Sequence, residues 1–176
     1  MIKIVQKEDS VLRKISADVP ASSIGTAKFQ KIIDDMKQAL SEQDDGVAIA
    51  APQIGHQLRV FVVSGRVFGQ KRHLPDIVFI NPKIVKISKD QKSMPEGCLS
   101  VRWLYGKTKR ASRVSVEALT EDGKAFTYNG SGLMAQIFQH EVDHLDGILF
   151  IDHAKDIKEM PPESDERKPK STRSKS

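Results

Sequence analysis

The sequence predicts an α+β fold in which antiparallel sheet packs around helices, and three observations carry that prediction. Apolar residues at helical spacing mark two helices, and β-branched or aromatic runs bounded by Gly, Pro or charge mark strands. The elements follow one another as helix, strands, helix, with hairpin-like connections and no alternation of strand and helix. A chain of 176 residues that is 39% hydrophobic and 29% charged is of a size and composition to fold as one domain, which excludes disorder throughout.

From Lys28 to Gln43 the residues Phe29, Ile32, Ile33, Met36 and Leu40 form one apolar stripe of a helix that Thr26 can cap. Leu58 to Val63, Ile77 to Ile87 and Val114 to Leu119 read as strands, and Glu121, Asp122 and Gly123 turn the chain into a further short strand, Ala125 to Tyr128. A second helix begins after Asn129 and Gly130 with Ser131 as its cap and stops near Asp146 and Gly147. Residues 155–176 combine charge and proline with almost nothing apolar and are expected to form a disordered charged tail after a domain of residues 1–154. The stretch from Arg167 to Ser176 holds five basic residues and no acid.

One cysteine, Cys98, excludes an internal disulfide and favours a reducing compartment. No apolar run is long enough to span a bilayer and Met1 to Gln6 lacks the features of a secretory signal, so a cytoplasmic location without membrane contact is expected. The net charge of +5 is mild and spread along the chain, and it implies no specific binding of nucleic acid.

The segment Gln139-His140-Glu141-Val142-Asp143-His144 lies in the second predicted helix. Histidines at i and i+4 project from adjacent turns of one face, close enough to share a metal ion, with the intervening Glu beside them for proton transfer. Such sites usually take three protein ligands and keep one position open, which makes Cys98 in Glu96-Gly97-Cys98-Leu99-Ser100 the natural third ligand, although a lone cysteine is more often buried packing. A third segment, Asp45-Gly46-Val47-Ala48-Ile49-Ala50-Ala51-Pro52-Gln53-Ile54-Gly55, is rich in the small residues needed where backbone must come close to a ligand or a packed strand.

These three segments, in this order, resemble the peptide deformylase family, and the resemblance extends over roughly residues 1–154. It implies an α+β fold with antiparallel sheets packed around a central metal-binding helix and with an N-terminal helix. It also implies removal of the N-formyl group from the initiator methionine of nascent polypeptides, releasing formate. One divalent ion is implied, bound by Cys98, His140 and His144, with ferrous iron as the expected ion and zinc, nickel or cobalt as alternatives. Glu141 is implied as general base and then general acid, while the Gln53 amide and the Leu99 main-chain N–H are implied as donors to the developing oxyanion.

By the same resemblance the peptide lies strand-like against Gly46, Val47, Ala48 and Gly97, and the methionine side chain enters a pocket of Met94, Leu133, Ile137 and the face of His140. For Leu133 and Ile137, ordinary core positions remain the competing reading. The chain departs from the family pattern at Ala48, where Gly is usual, and at Arg102, where Pro is usual. A methyl group at position 48 is expected to narrow the approach of the peptide, and Arg102 beside Trp103 to favour acidic or aromatic residues downstream of methionine. Contact between Asp45 and Arg110 is expected as well, and His56, His73 and His153 are expected as surface residues without partners.

Two other functions compete. A zinc metallopeptidase shares the His-Glu-Xaa-Xaa-His pattern, but its third ligand is generally a Glu or His downstream of the helix. A formyl-peptide-binding or ribosome-binding relative with altered activity is suggested by Ala48 and the basic tail, which also raises transient ribosome contact as an interaction.

Overall fold

The computed structural model describes residues 1–69 and 74–162. Helix α1 (Ala27–Ser41) starts at the Thr26 cap, whose hydroxyl accepts from the Phe29 N–H. Strands β1 (Ala48–Ala50), β2 (Val60–Val63), β3 (Ile77–Ile87), β4 (Gln91–Gly97), β5 (Leu104–Ala111), β6 (Arg113–Leu119) and β7 (Ala125–Ser131) follow. Helix α2 (Leu133–Leu145) and strand β8 (Lys155–Glu159) complete the described chain.

Five strands form an antiparallel sheet in the order β1-β2-β3-β6-β7, and three form a second in the order β4-β5-β8. The run Val60-Phe61-Val62-Val63 is apolar throughout because both faces of the larger sheet are covered. Side chains alternate across a strand, so Phe61 and Val63 join the core against Ile137 and Phe138 of α2, while Val60 and Val62 join the core against Ile33, Met36 and Leu40 of α1. The same alternation sends Ala48 and Ala50 toward α2 and Ile49 toward α1. Small residues on the α2 side of β1 let that helix come close to the sheet edge, and this places the helix bearing both histidines beside β1.

The two ends of α2 differ from and agree with expectation, respectively. Ser131 does not cap the helix: β7 runs through Ser131, and Gly132 makes the strand-to-helix junction at φ 55°, a backbone state that side chains disfavour. At the other end Gly147 takes φ 75° as expected, and a Cβ there would stand 2.7 Å from the Arg13 carbonyl oxygen.

Strands β4, β5 and β8 were not legible as strands. From Gly106 to Arg110 of β5 the buried positions are Gly106, Thr108 and Arg110 and the exposed ones Lys107 and Lys109, a two-residue period whose inward face carries polar side chains, before the buried Ala111 ends it. β8 lies at the start of the expected tail, and Lys155–Glu159 instead pairs with β5 through main-chain bonds although all five side chains are exposed. The rest of the expected tail from residue 163, and His73, lie outside the described residues.

Candidate active site

Helical geometry puts His140 and His144 on adjacent turns of α2, with ring centroids 4.9 Å apart. The turn leaving β4 brings Cys98 to them: its Sγ lies 3.2 Å from His144 Nε2, and donor atoms of Cys98, His140 and His144 all fall within 4.8 Å of one another. Bonds of about 2.0 to 2.3 Å from one ion to nitrogen and sulfur span nearly that distance, so a thiolate and two imidazoles here form a donor set of the right size and chemistry for one borderline-soft divalent ion. Among the described residues this is the group of three metal-ligating side chains, and it contains no Glu or His downstream of α2.

The carboxylate of Glu96 holds this arrangement in place. His140 Nδ1 sits 2.6 Å from Glu96 Oε1, and Arg110 donates to both oxygens of that carboxylate, at 2.5 and 3.0 Å. Thr108 Oγ1 and Gln136 Nε2 also donate to Glu96 Oε2, at 2.6 and 3.2 Å, while Arg110 Nη1 reaches Asp143 at 2.7 Å. Burial opposes charge on Glu96, but the bonds from His140 and Arg110 prevail and hold its carboxyl far below the usual range. Arg110 is therefore spent on Glu96 and Asp143, and the expected contact with Asp45 is not made; Asp45 pairs with Arg102 instead. His153 also has a partner, its Nε2 lying 3.5 Å from Asp143.

Glu141 is 3% exposed, and its Oε2 is buried without a hydrogen-bond partner. Burial pushes this carboxyl up to about 7, with nearby Glu96 adding to the rise and the His140 charge opposing it. Burial also pushes His144 well down. Burial acts downward on His140 too, but the bonds to Cys98 and Glu96 outweigh it and carry that ring well up. A buried carboxyl shifted toward neutrality beside three metal-type donors is the kind of perturbed group that clusters at functional sites.

Gln53 comes from the short helical turn Ala51–Ile54 that follows β1. Its Oε1 accepts from the Ala50 N–H at 2.8 Å, which turns Nε2 toward Ser100 Oγ at 3.1 Å and toward Cys98 Sγ at 3.6 Å. Gln53, Cys98, Leu99, His140 and Glu141 line one cavity of about 300 Å³, together with Gly46, Val47, Ala48, Gly97, Leu133 and Ile137. Ile137 belongs to this lining and to the core at once, at 4% exposure, whereas Leu133 is 48% exposed and presents apolar surface to the cavity mouth.

Met94 is not among the lining residues. It stands on the β4 face shared with Glu96, one step farther out and opposite Thr108, and the cavity wall begins at Pro95. The side chains that sequence reasoning missed are Glu96, Thr108, Gln136 and Arg110 as a network, and Tyr105 as wall, while Trp103 lines the cavity beside Arg102. A buried polar face on β5 was the signal that could have found the network.

A family model described as polypeptide deformylase matches residues 1–160. Peptide deformylase 2 of Clostridium acetobutylicum is 44% identical over 146 residues, 82% of this chain and 89% of that protein. The crystal structure of a peptide deformylase from Legionella pneumophila is 40% identical with a TM-score of 0.78, covering 88% of this chain and 86% of that one. A Met-Ala-Ser-bound class I type b peptide deformylase from Acinetobacter baumannii is 33% identical with a TM-score of 0.79, covering 86% of this chain and 97% of that one. With its α+β fold and a metal-type cluster shared by the second helix and the turn after β4, the chain belongs to the peptide deformylase family.

Proposed function

We propose that this peptide deformylase removes the formyl group from the N-terminal methionine of nascent polypeptides with the residues gathered around Glu141. The observation that carries the reading is convergence: the Cys98 and His140 donors, the buried carboxylate of Glu141 and the Gln53 amide line one cavity, with the buried His144 Nε2 3.2 Å from Cys98 Sγ, although they come from three separate stretches of chain. Cys98, His140 and His144 would hold one divalent ion, for which we propose ferrous iron in the cell, and that ion would supply Lewis acidity and a water of lowered pKa.

Glu141 takes the proton of the attacking water at Oε2 and delivers it to the amine as the formyl C–N bond breaks, so formate and a free N-terminus leave together. The Gln53 Nε2 and the main-chain N–H of Leu99 donate to the oxygen that becomes negative when the formyl carbon turns tetrahedral. β1 and β4 are edge strands of their sheets and both contribute to the cavity wall. An extended peptide laid between them pairs with main-chain groups near Gly46, Val47, Ala48 and Gly97, and its methionine side chain reaches Leu133 and Ile137.

The test is formate release from formyl-Met-Ala-Ser by anaerobically prepared protein of measured metal content, with Glu141→Ala alongside. Rapid release by the parent alone supports the reading; equal release by the variant, or none from the metal-loaded parent, overturns it. No helix of the described residues is long and apolar enough to cross a membrane. We place the protein in the cytoplasm, in transient contact with ribosomes through the basic stretch from Arg167 to Ser176. That contact should weaken with added salt and on removal of residues 163–176, without loss of turnover on a short peptide.

A further inference from the structure

Arg102 and Asp45 both line the cavity, one on the turn after Cys98 and the other in the loop leading to β1, and their side chains pair there. Arg102 Nη1 and Nη2 donate to the two oxygens of Asp45 at 2.5 and 3.1 Å, a bidentate pairing of guanidinium and carboxylate. The two halves are unequally held. The Arg102 guanidinium lies 4.5 Å over the Trp103 ring and donates to Gln43 Oε1 at 3.0 Å, and its main-chain N–H is tied to Gln6 at 3.2 Å. The Arg102 side chain is 19% exposed against 53% for Asp45, whose side chain has Arg102 as its hydrogen-bond partner among the described residues.

From this asymmetry we infer that Arg102 reads a carboxylate on the peptide, and that Asp45 is an internal stand-in that swings out when an acidic side chain takes its place. The cation is fixed by stacking and by Gln43, so displacing Asp45 leaves a positioned, partly desolvated fork facing the cavity. Asp45 sits in the turn that Gly46 N–H closes onto the Gln43 carbonyl, just ahead of the Gly46 to Ala48 main chain against which the peptide is laid. We therefore assign the carboxylate to the peptide downstream of the methionine at Leu133 and Ile137, at its third residue. This inference rests on the deformylase reading for its substrate and deepens it to a preference among nascent chains.

The test compares formyl-Met-Ala-Asp-amide with formyl-Met-Ala-Asn-amide, in which the side chain carries the only difference in charge. The ratio of their kcat/KM values within one preparation cancels any difference in active fraction. The parent should favour the Asp peptide, Arg102→Gln should bring the ratio to one, and Asp45→Asn, which removes the internal competitor, should raise it by about threefold. A ratio unaffected by either substitution overturns the inference, and a ratio that falls in Asp45→Asn does so even where Arg102→Gln fails to fold.

Trp103 is the single tryptophan, so its fluorescence reports displacement of Asp45 from the stacked guanidinium without any turnover. Tighter binding of Met-Ala-Asp-amide than of Met-Ala-Asn-amide in that titration supports the exchange, and equal binding overturns it. Absence of formate from both peptides would count against the deformylase reading alone, because the fluorescence arm still decides the carboxylate exchange.

Discussion

His140 Nδ1 lies 2.6 Å from Glu96 Oε1, and this contact determines which ring nitrogen is available. With Nδ1 engaged, Nε2 is the nitrogen left to meet the Cys98 and His144 donors. Arg110 and Thr108 of β5 and Gln136, one turn back on α2, hold the carboxylate in turn, so the orientation of His140 is set by Glu96 of β4 together with both of those elements.

Glu96→Gln, which keeps the shape but weakens the acceptor, should lower metal affinity by about 10-fold to 100-fold, as loss of an orienting partner does at other metal sites. Competition with a chelator measures it. Glu96→Ala should in addition destabilise the fold by about 3 to 5 kcal/mol, since it leaves the buried Arg110 charge without its main partner. Unchanged metal retention in Glu96→Gln would contradict the positioning role.

Glu141→Gln should retain the ion and lose about 10²-fold to 10⁴-fold in kcat, because the amide cannot take a proton at Oε2. Metal analysis and single-turnover formate release on the same sample separate the two effects. Loss of metal in parallel with activity would instead mean that Glu141 supports the donors.

Stability of the metal-free protein should depend on pH through the same group. Burial raises the Glu141 pKa from 4.5 to about 7, so the folded chain holds this proton more tightly than the unfolded chain does. The stabilisation is then complete below about pH 4.5 and is lost as the pH rises through about 7. Glu141→Gln lacks it, and the difference in unfolding free energy between parent and variant should shift by up to about 3 kcal/mol from pH 4.5 to pH 8. Urea titrations across that range would show a constant difference if the carboxyl titrates normally.

Gln53→Ala should lower kcat by about 10²-fold to 10³-fold with little change in KM, the signature of a donor that acts as charge develops. A rise in KM alone would place Gln53 in ground-state binding.

Ala48→Gly should cost about 0.5 to 1 kcal/mol of stability by loosening β1, with less than about a twofold gain in kcat/KM. The reason is the strand alternation that turns the Ala48 methyl into the core with Phe61 and Val63 and leaves the main chain of β1 at the sheet edge. A large gain in kcat/KM would restore the expectation that this methyl crowds the peptide.

Local periodicity made α1 legible, including its Thr26 cap, and it placed His140, Glu141 and His144 on one helix before any tertiary contact was known. Cys98 was legible through scarcity, as the one thiol in the chain. Strands β4 and β5 were hidden because their inward residues are the polar groups that hold His140, and a polar inward face defeats a search for apolar alternation.

The sequence by itself determined the family motifs, the helix that carries both histidines and the chemistry of the donor set, since each depends on residue type and short-range spacing. Tertiary structure alone decided that Arg110 pairs with Glu96 and Asp143 while Arg102 takes Asp45, and that Met94 falls outside the cavity wall. Those outcomes follow from strand register and from which segments the two sheets bring face to face across long stretches of chain. A charged side chain pairs with the partner the fold delivers, and no spacing within its own segment encodes that partner.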